Sequence, residues 1–453
     1  MSINNGVVKY ENITVLKFGG TSQSVSTYKM ILEMIKKEPD TKFVIVLSAV
    51  KGITNKLLEF TESKNFSHWD KIIEINDTLS QETLGYSCKF ISDMKDKLWS
   101  LENDKVEIVA MGEFFTTNIL TDFLNVKGVS TEFISSFDVI KSNMTNNGLM
   151  YNKGEFTVDD AILFETFKTN QVVVIPGFSG SSSDYKPCLL GRGGSDTTGA
   201  IIASAVNASK YEIWTDVNGI YSCDPRIVSD AFIIDNIGYT SAQEIAAMGA
   251  KVIHPYCILP CAEKNIPIVI KNTFEPNAKV NTVIYNKNNN SMYGVTIQNN
   301  VKVFKVTSMN MWNNFGFVYD IFSIFKKYNV DVNIINTSQF NITTTTEDTN
   351  LENLLLVKNE LEKKYTVELT FDNSIVSVVG ENIKSYSRIG ELFNHTKNYD
   401  IILTSYSSND MTLSWVVKSD VQNKLAKDLH KLVFSNMFNF KDILSSNILK
   451  NNI

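Results

Sequence analysis

Short apolar runs alternate with longer stretches of mixed polarity between residues 13 and 285. The runs typical of strands are ITVLKF, KFVIVLSAV, VEIVAMG, TEFIS, QVVVIPGF, YEIWTDV and IPIVIK. Several are apolar at almost every position, as in strands covered by helices on both faces. The alternation predicts an α/β domain over residues 1–290, with a mostly parallel sheet sandwiched by helices. Residues 55–105 are polar and carry few strand signals, which predicts a helical excursion from the sheet.

The pattern changes after the polar run Asn286–Asn290, which predicts a linker. Strand, helix, strand, strand and helix patterns follow in that order, and the order then begins again at SIVSVVG. A unit of roughly 70 residues with this order is ferredoxin-like. The chain is therefore expected to end in two βαββαβ domains, over 301–371 and 372–453, either in tandem or interleaved. Such a repeat fits a regulatory module and, equally, plain structural packing.

Composition narrows the class of protein. The 453 residues carry a net charge of −6, which argues against a general nucleic-acid or anionic-membrane surface. No apolar stretch approaches the ~20 residues that span a bilayer. The first residues lack the apolar core of a signal peptide, and the five cysteines are few and scattered. We therefore expect a cytoplasmic protein without nucleic-acid or membrane partners.

His254, Cys257 and Cys261 lie close enough in sequence to suggest a metal site. Structural zinc sites generally need four ligands, and a fourth is not apparent. Buried, small apolar cysteines are the favoured interpretation, so no protein-held metal is expected.

The first candidate for chemistry is KFGGTS, which follows the apolar run Ile13–Leu16. A strand that ends in Lys17 and a Gly-Gly turn can bring backbone N–H groups and a point charge close to an anion such as phosphate. The order of residues is wrong for a Walker A loop, so a nucleotide would bind here in another fold. A simple turn after a strand is the alternative.

The second candidate is GRGGSDTTGA, which leads into an apolar helical pattern. Ser195 and Asp196 are residue types that favour helix N-caps, and the start of a helix attracts anions. Arg192 presents a planar fork suited to a carboxylate or phosphate. A capped helix after a flexible loop is the alternative.

The third candidate is WTDVNGIYSCDPR, where a strand ends at Thr215 and Asp216 and an Asn-Gly turn follows. Tyr221 and Arg226 could flank a nucleotide base and its phosphates, although a plain turn explains the segment equally well.

Three shorter segments complete the set of candidates. Ser48 and Thr54 flank a glycine turn in LSAVKGITN, Glu113 follows VEIVAMG and is expected to open a helix, and Lys251 precedes a proline that is expected to end its helix.

These motifs occur in order over residues 17–255, and together with the C-terminal repeats they resemble aspartate kinases of the amino-acid kinase family that carry ACT domains. The length and the helical excursion resemble the monofunctional, lysine-inhibited class. Glutamate-type and carbamate-type kinases share the fold but lack this combination of GITN, GEFFT and ACT repeats.

The resemblance implies phosphorylation of the L-aspartate side chain by ATP with Mg²⁺, the metal being held mainly by ATP oxygens and water. The nucleophile is a carboxylate that is already ionised at neutral pH, so the reaction needs no general base. Lys17 and Asp196 are the implied catalytic residues. The implied aspartate-binding residues are Ser48, Thr54, Glu113 and Arg192. The implied ATP-binding residues are Lys17, Gly19, Gly20, Ser22, Ser195, Thr215, Asp216, Tyr221, Arg226 and Lys251.

For the repeats, the resemblance implies allosteric lysine and a homodimer or higher assembly through paired ACT domains. The matching effector positions are Met311, Asn314, Phe317, Val318, Val330, Asn333, Ser338 and Gln339. Asn333 and Gln339 stand where acidic residues are expected, so threonine or another pathway product remains an alternative effector. A kinase-derived amino-acid sensor without catalysis is the alternative of a different class, and the intact set of Lys17, Arg192, Asp196 and Glu113 argues against it.

Overall fold

The computed structural model describes residues 2–4, 7–9, 12–97, 104–145, 154–250, 252–287, 291–309 and 315–435. The chain forms two compact units. Two short segments that interrupt the sequence of the first unit belong to the second. The first unit comprises Met1–Ile220, Ile233–Gln243 and Lys251–Asn288. The second comprises Tyr221–Phe232, Glu244–Ala250 and Asn289–Ile453.

Fourteen strands and ten helices are described before residue 288. The strands are β1 (Ser2–Asn4), β2 (Val7–Lys9), β3 (Ile13–Phe18), β4 (Lys42–Leu47), β5 (Thr131–Phe133), β6 (Ile140–Ser142), β7 (Phe156–Val158), β8 (Val172–Pro176), β9 (Ser179–Ser181), β10 (Pro187–Leu189), β11 (Lys210–Thr215), β12 (Asn236–Gly238), β13 (Ile268–Asn272) and β14 (Thr282–Tyr285). The helices are α1 (Val25–Lys37), α2 (Ile53–Ser63), α3 (Phe66–Leu84), α4 (Lys89–Lys97), α5 (Lys105–Val126), α6 (Ser136–Val139), α7 (Asp160–Thr166), α8 (Gly194–Ala205), α9 (Tyr239–Ala247) and α10 (Ile258–Glu263).

An eight-stranded sheet forms the centre of the first unit, in the order β12-β14-β13-β11-β3-β4-β8-β5. Every neighbouring pair is parallel except β13 and β14. The central strands β3, β4 and β8 are almost completely buried, which explains their continuous apolar sequences. The prediction of a mostly parallel α/β sheet is confirmed. The carboxyl ends of the parallel strands meet at one edge, where ligands of such folds bind.

The segment VEIVAMG was predicted to be a strand, and this prediction is wrong: the residues form the first turns of α5. Asp104 starts the helix, since its carboxylate accepts hydrogen bonds from the N–H groups of Val106 and Glu107. Most of α5 is buried, so its sequence is apolar on nearly all sides. Periodicity cannot separate such a helix from a buried strand. Glu113 consequently lies within a helix and does not open one.

Helices α2, α3 and α4 confirm the predicted helical excursion within the described residues. A smaller sheet with the order β10-β9-β6-β7 was not predicted from the sequence, because its strands have only three residues each. Among the described residues, no helix has both the length and the apolar character needed to cross a bilayer.

The second unit is built on a six-stranded antiparallel sheet in the order β16-β17-β15-β18-β20-β19. Its strands are β15 (Met292–Thr307), β16 (Ile335–Thr337), β17 (Asn341–Thr346), β18 (Thr366–Gly380), β19 (Leu403–Tyr406) and β20 (Thr412–Lys418), and its helices are α11 (Phe317–Lys327), α12 (Leu351–Leu361), α13 (Ile389–Thr396) and α14 over residues 422–435. The predicted order of strand, helix, strand, strand and helix therefore occurs twice in this unit.

Two long strands join the repeats. The first part of β15 pairs with the end of β18, from Met292 opposite Gly380 to Gln298 opposite Ile375. The last part of β15 pairs with β17 and with the start of β18. The strand expected at SIVSVVG is thus the end of a longer strand, because β18 begins at Thr366, and β15 begins before residue 301. The segment VDVNIIN has a sequence typical of a strand, but only its end is strand, in β16.

Candidate active site

Lys17 and Asp196 form an ion pair at the carboxyl edge of the central sheet. Lys17 is near the end of β3, and Asp196 is in the first turn of α8, which packs against β3. The Lys17 Nζ lies 2.5 Å from Asp196 Oδ1, and the two side chains are 10% and 16% exposed. Asp196 Oδ1 has no partner in hydrogen-bond geometry among the described residues, so the contact is primarily between charges. Two residues 179 positions apart in sequence thus meet at one point.

The start of α8 differs from the predicted one. Gly193 occupies the N-cap with a φ of 70°, and no side chain caps the helix. Ser195 and Asp196 instead lie in the first turn, where the free N–H groups of the helix favour negative charge. A Cβ at Gly193 would lie 2.4 Å from Cγ of His254, so the His254 ring packs directly on this turn. Both the conformation and the packing require glycine here.

Glu113 is a buried carboxyl group that faces Lys17 from α5. It is 3% exposed, and burial raises its pKa to about 8. Backbone hydrogen bonds from Ala49 and Glu113, and the positive charge of Lys17, oppose this rise. Its Oε2 atom has no hydrogen-bond partner among the described residues. An unpaired buried oxygen of this kind is suited to a cationic group of a ligand.

The loop after β4 closes the site on the side of Glu113. Gly52 starts α2 in the left-handed conformation, with a φ of 85°. The carbonyl oxygen of Ser48 accepts a hydrogen bond from Thr116 of α5 at 3.2 Å. Thr54 lies half-buried in the first turn of α2. The two predicted substrate residues therefore flank a turn that is fastened to the helix carrying Glu113.

The loop after β3 is held by its neighbours. The Gly19 N–H donates to the carbonyl oxygen of Trp214 at 3.1 Å. Ser22 is fully buried, and its hydroxyl lies 2.7 Å from the hydroxyl of Thr273. Gly19 N–H was predicted to be a donor to phosphate and Ser22 to contribute its hydroxyl. Both groups are instead committed to protein partners, because buried polar groups require hydrogen bonds.

Thr215 and Asp216 follow β11 at the same edge, and the Thr215 hydroxyl donates to Asp216 at 3.3 Å. Tyr221 and Arg226 belong to the second unit. There the Arg226 guanidinium forms a two-point contact with Asp224, with Nη2 2.6 Å from Oδ2. Lys251 lies outside the described residues. The helix that precedes it in the sequence, α9, ends at Ala247 before Gly249, whose φ is 109°. The predicted role of the proline is wrong, since Pro255 instead begins a short 3₁₀ helix.

Arg192 is exposed in the loop before α8. His254 faces both Arg192 and Asp196, and burial is the main cause that lowers its pKa, with Arg192 acting in the same direction and Asp196 in the opposite one. The sequence suggested only a metal role for His254. No group of three or more metal-ligating side chains occurs within the described part of the chain. His254, Thr116 and Thr273 are thus site residues that motif reasoning missed.

The candidate effector positions divide into buried and exposed residues. Phe317 and Val330 are buried in a hydrophobic cluster of the second unit, where Phe317 packs edge-on against Tyr365. The exposed candidates are Val318, Asn333, Ser338 and Gln339. Met311 and Asn314 lie outside the described residues.

Known proteins are similar in sequence to this chain over almost its whole length. A family model described as the amino acid kinase family matches residues 12–272. Lysine-sensitive aspartokinase 3 of Escherichia coli is 31% identical, covering 93% of this chain and 99% of that protein. Aspartokinase 3, chloroplastic, of Arabidopsis thaliana is 28% identical and covers 93% and 81%.

Solved structures of an aspartokinase are also similar to this chain over almost its whole length. E. coli aspartokinase III in complex with aspartate and ADP has a TM-score of 0.80 at 26% identity, with 93% of this chain and 100% of that chain covered. The complex of the same enzyme with lysine and aspartate has a TM-score of 0.73 at 26% identity, with 93% and 99% covered.

Proposed function

The chain belongs to the amino acid kinase family, and we propose that it is an aspartokinase, which transfers the γ-phosphoryl group of ATP to the side-chain carboxylate of L-aspartate. The observation that carries this proposal is the Lys17–Asp196 pair at the start of α8, with the buried Glu113 facing it. Relatives named aspartokinase match over nearly the full length.

Lys17 addresses the main obstacle of the reaction. Two anions, the ATP γ-phosphate and the aspartate carboxylate, must approach each other in line. The Lys17 ammonium has three N–H donors, so it can contact a phosphoryl oxygen while it remains paired with Asp196. Asp196 fixes the direction of the ammonium, and the N-terminal turn of α8 adds positive potential at the same point.

The remaining residues select the substrates. Glu113 receives the α-ammonium group of aspartate with its unpaired Oε2. Arg192 binds a carboxylate of aspartate, and the loop with Ser48 and Thr54 completes that pocket. Thr215, Asp216 and Ser195 lie on the ATP side, and Mg²⁺ enters with ATP, held mainly by phosphate oxygens and water.

The second unit is proposed as the regulatory part, which binds lysine and pairs with a second copy. Lysine is named in the complex of E. coli aspartokinase III that matches this chain. Several large apolar side chains of the unit are exposed, among them Phe315 at 98% and Tyr319 at 76%. These exposed side chains suit a homodimer interface.

The test compares Lys17→Ala with Lys29→Ala, a matched control on the exposed side of α1. We expect Lys17→Ala to lower kcat for aspartate-dependent ADP formation by about 10²–10³-fold, the size typical for loss of one transition-state donor. Lys29→Ala should retain wild-type kcat, and both variants should retain the wild-type circular dichroism spectrum. Wild-type turnover in Lys17→Ala would refute the role of this residue.

A further inference from the structure

The loop Asn272–Glu275, at the end of β13, connects two segments that the proposed function places around ATP. We call it the 272–275 loop. The Thr273 hydroxyl lies 2.7 Å from the Ser22 hydroxyl, in the loop that begins at Lys17. Ser22 is 0% exposed and Thr273 is 7% exposed, so water does not compete for this bond.

The same loop also holds the segment that follows β11. The Thr273 N–H donates to the carbonyl oxygen of Thr215 at 2.8 Å. The Asn218 side-chain amide donates to Glu275 Oε2 at 2.9 Å. The segment 215–218 is therefore attached to the 272–275 loop at both of its ends.

The 272–275 loop is itself pre-organised. The Phe274 N–H donates to Asn272 Oδ1 at 2.9 Å, which closes a tight turn just after the last strand residue. Asn272 is 7% exposed and occupies the end of β13, a strand hydrogen-bonded to β11 along its whole length. The loop is thus a rigid support at the carboxyl edge of the sheet.

We propose that Thr273 is a positioning residue that holds the Lys17–Ser22 loop and the 215–218 segment in fixed relation, so that Lys17 meets the phosphate of a nucleotide bound at Thr215 and Asp216. The inference rests on the proposed function, which assigns the two segments to ATP. Thr273 is one residue with two contacts, its hydroxyl fixing the phosphate side and its N–H fixing the nucleotide side. Ser22 then acts through Thr273 and does not contact phosphate.

The test uses Thr273→Val, which keeps the shape and removes the hydroxyl, and Thr273→Ser, which keeps the hydroxyl. For Thr273→Val we expect kcat to fall and the KM for ATP to rise, each by about tenfold, the size expected for one unsatisfied buried hydroxyl. The KM for aspartate should change by less than about twofold, since its pocket lies on the other side of Lys17. Thr273→Ser should restore the wild-type values.

Thr41→Val is the matched control for stability. Thr41 is 2% exposed and its hydroxyl bonds to Asn12 and Glu38 at the amino end of β4, away from the carboxyl edge. The variant Thr41→Val should lower the melting temperature as Thr273→Val does, but kcat and both KM values should stay unchanged. Equal kinetic effects of the two variants, or no rescue by Thr273→Ser, would overturn the proposal.

A double variant separates positioning from direct contact. Because Ser22 and Thr273 share one bond, Ser22→Ala combined with Thr273→Val should be no worse than either single variant. Multiplied effects would show that Ser22 acts on phosphate by itself and would overturn the inference. ADP affinity, measured by calorimetry on the same variants, tests Thr273 even if the wild-type chain proves inactive on aspartate, so the two failures are distinguishable.

Discussion

Glu113 is an ionisable residue of the site whose side chain is almost completely removed from water. Its carboxyl group lies in the interior of the first unit, and burial raises its pKa to about 8 from an ordinary value of 4.5. The nearby charge of Lys17 acts in the opposite direction but does not outweigh burial. Without a ligand the neutral form therefore predominates at neutral pH, and an ammonium group must displace its proton.

This gives a prediction for the pH dependence of aspartate binding. As pH falls below about 8, the KM for aspartate should rise toward tenfold per pH unit, since binding then requires loss of the Glu113 proton. Steady-state kinetics between roughly pH 6 and 9 measure this slope. Glu113→Gln should bind aspartate weakly with a flatter profile. An unchanged KM between wild type and Glu113→Gln would contradict the assignment.

The raised pKa of Glu113 also predicts how the stability of the folded protein depends on pH. The unfolded chain ionises Glu113 above about pH 4.5, whereas the folded chain keeps the proton up to about 8. The contribution of the group to stability is therefore fully present below about pH 4.5 and is lost as pH rises from there to about 8, at up to roughly 1.4 kcal/mol per pH unit. Ligand-free Glu113→Gln should consequently melt above the wild type at pH 8 and close to it at pH 4. A lower melting temperature at pH 8 would show that the carboxylate has partners in the folded state.

At the scale of elements, the start of α8 depends on a backbone conformation. Gly191 and Gly193 both have positive φ values, 82° and 70°. A Cβ at Gly191 meets nothing within 4 Å, whereas a Cβ at Gly193 meets the His254 ring at 2.4 Å. The two glycines therefore provide a matched pair that separates conformational strain from steric overlap.

We predict that Gly191→Ala costs about 1–2 kcal/mol of stability, the penalty of the left-handed region alone. Gly193→Ala should cost more and should also lower kcat, because the helix start that carries Asp196 must shift away from His254. Thermal melting and steady-state kinetics measure both effects. If the two variants behave alike, His254 does not define the position of this turn.

Helix α5 and strand β3 illustrate what sequence could and could not predict. Strand β3 was evident because a buried parallel strand is apolar throughout and ends at a distinctive Lys-Phe-Gly-Gly. Helix α5 is also apolar on nearly all sides, so its first turns looked like another strand. The sequence motifs identified site residues with charged side chains, such as Lys17 and Asp196. Thr273 escaped notice because its importance depends on a contact with Ser22, 251 positions away.

At the scale of the whole molecule, the division into two compact units does not follow the order of the sequence. The segment Tyr221–Phe232, which carries two predicted ATP-binding residues, belongs to the second unit. There Ser222 accepts the N–H of Val295 with its carbonyl oxygen at 2.7 Å, and its hydroxyl lies 2.9 Å from His430 Nε2. His430 is 2% exposed and packs against Phe232 and Phe434. The sequence could not predict this, because the segment follows a strand of the first unit without a break in pattern.

The proposed regulation by the second unit can be tested with free amino acids. Lysine is named in the matching complex of E. coli aspartokinase III. We expect millimolar L-lysine to lower the rate of aspartate phosphorylation and L-threonine, as the control, to have less effect. His430→Phe retains a ring between its aromatic neighbours but loses the bond to Ser222, and should weaken the inhibition. Activity that is unchanged at millimolar lysine would contradict regulation by this amino acid.

The central claim is that the chain forms an acyl phosphate from aspartate, and trapping with hydroxylamine tests it most directly. The purified chain is incubated with ATP, Mg²⁺, hydroxylamine and either L-aspartate, L-glutamate or no amino acid, and the hydroxamate is measured by its iron complex. We predict hydroxamate formation with L-aspartate, little with L-glutamate, and none with Lys17→Ala. No hydroxamate from wild-type protein with L-aspartate, alongside normal ADP binding, would contradict the account and would favour a sensor without catalysis.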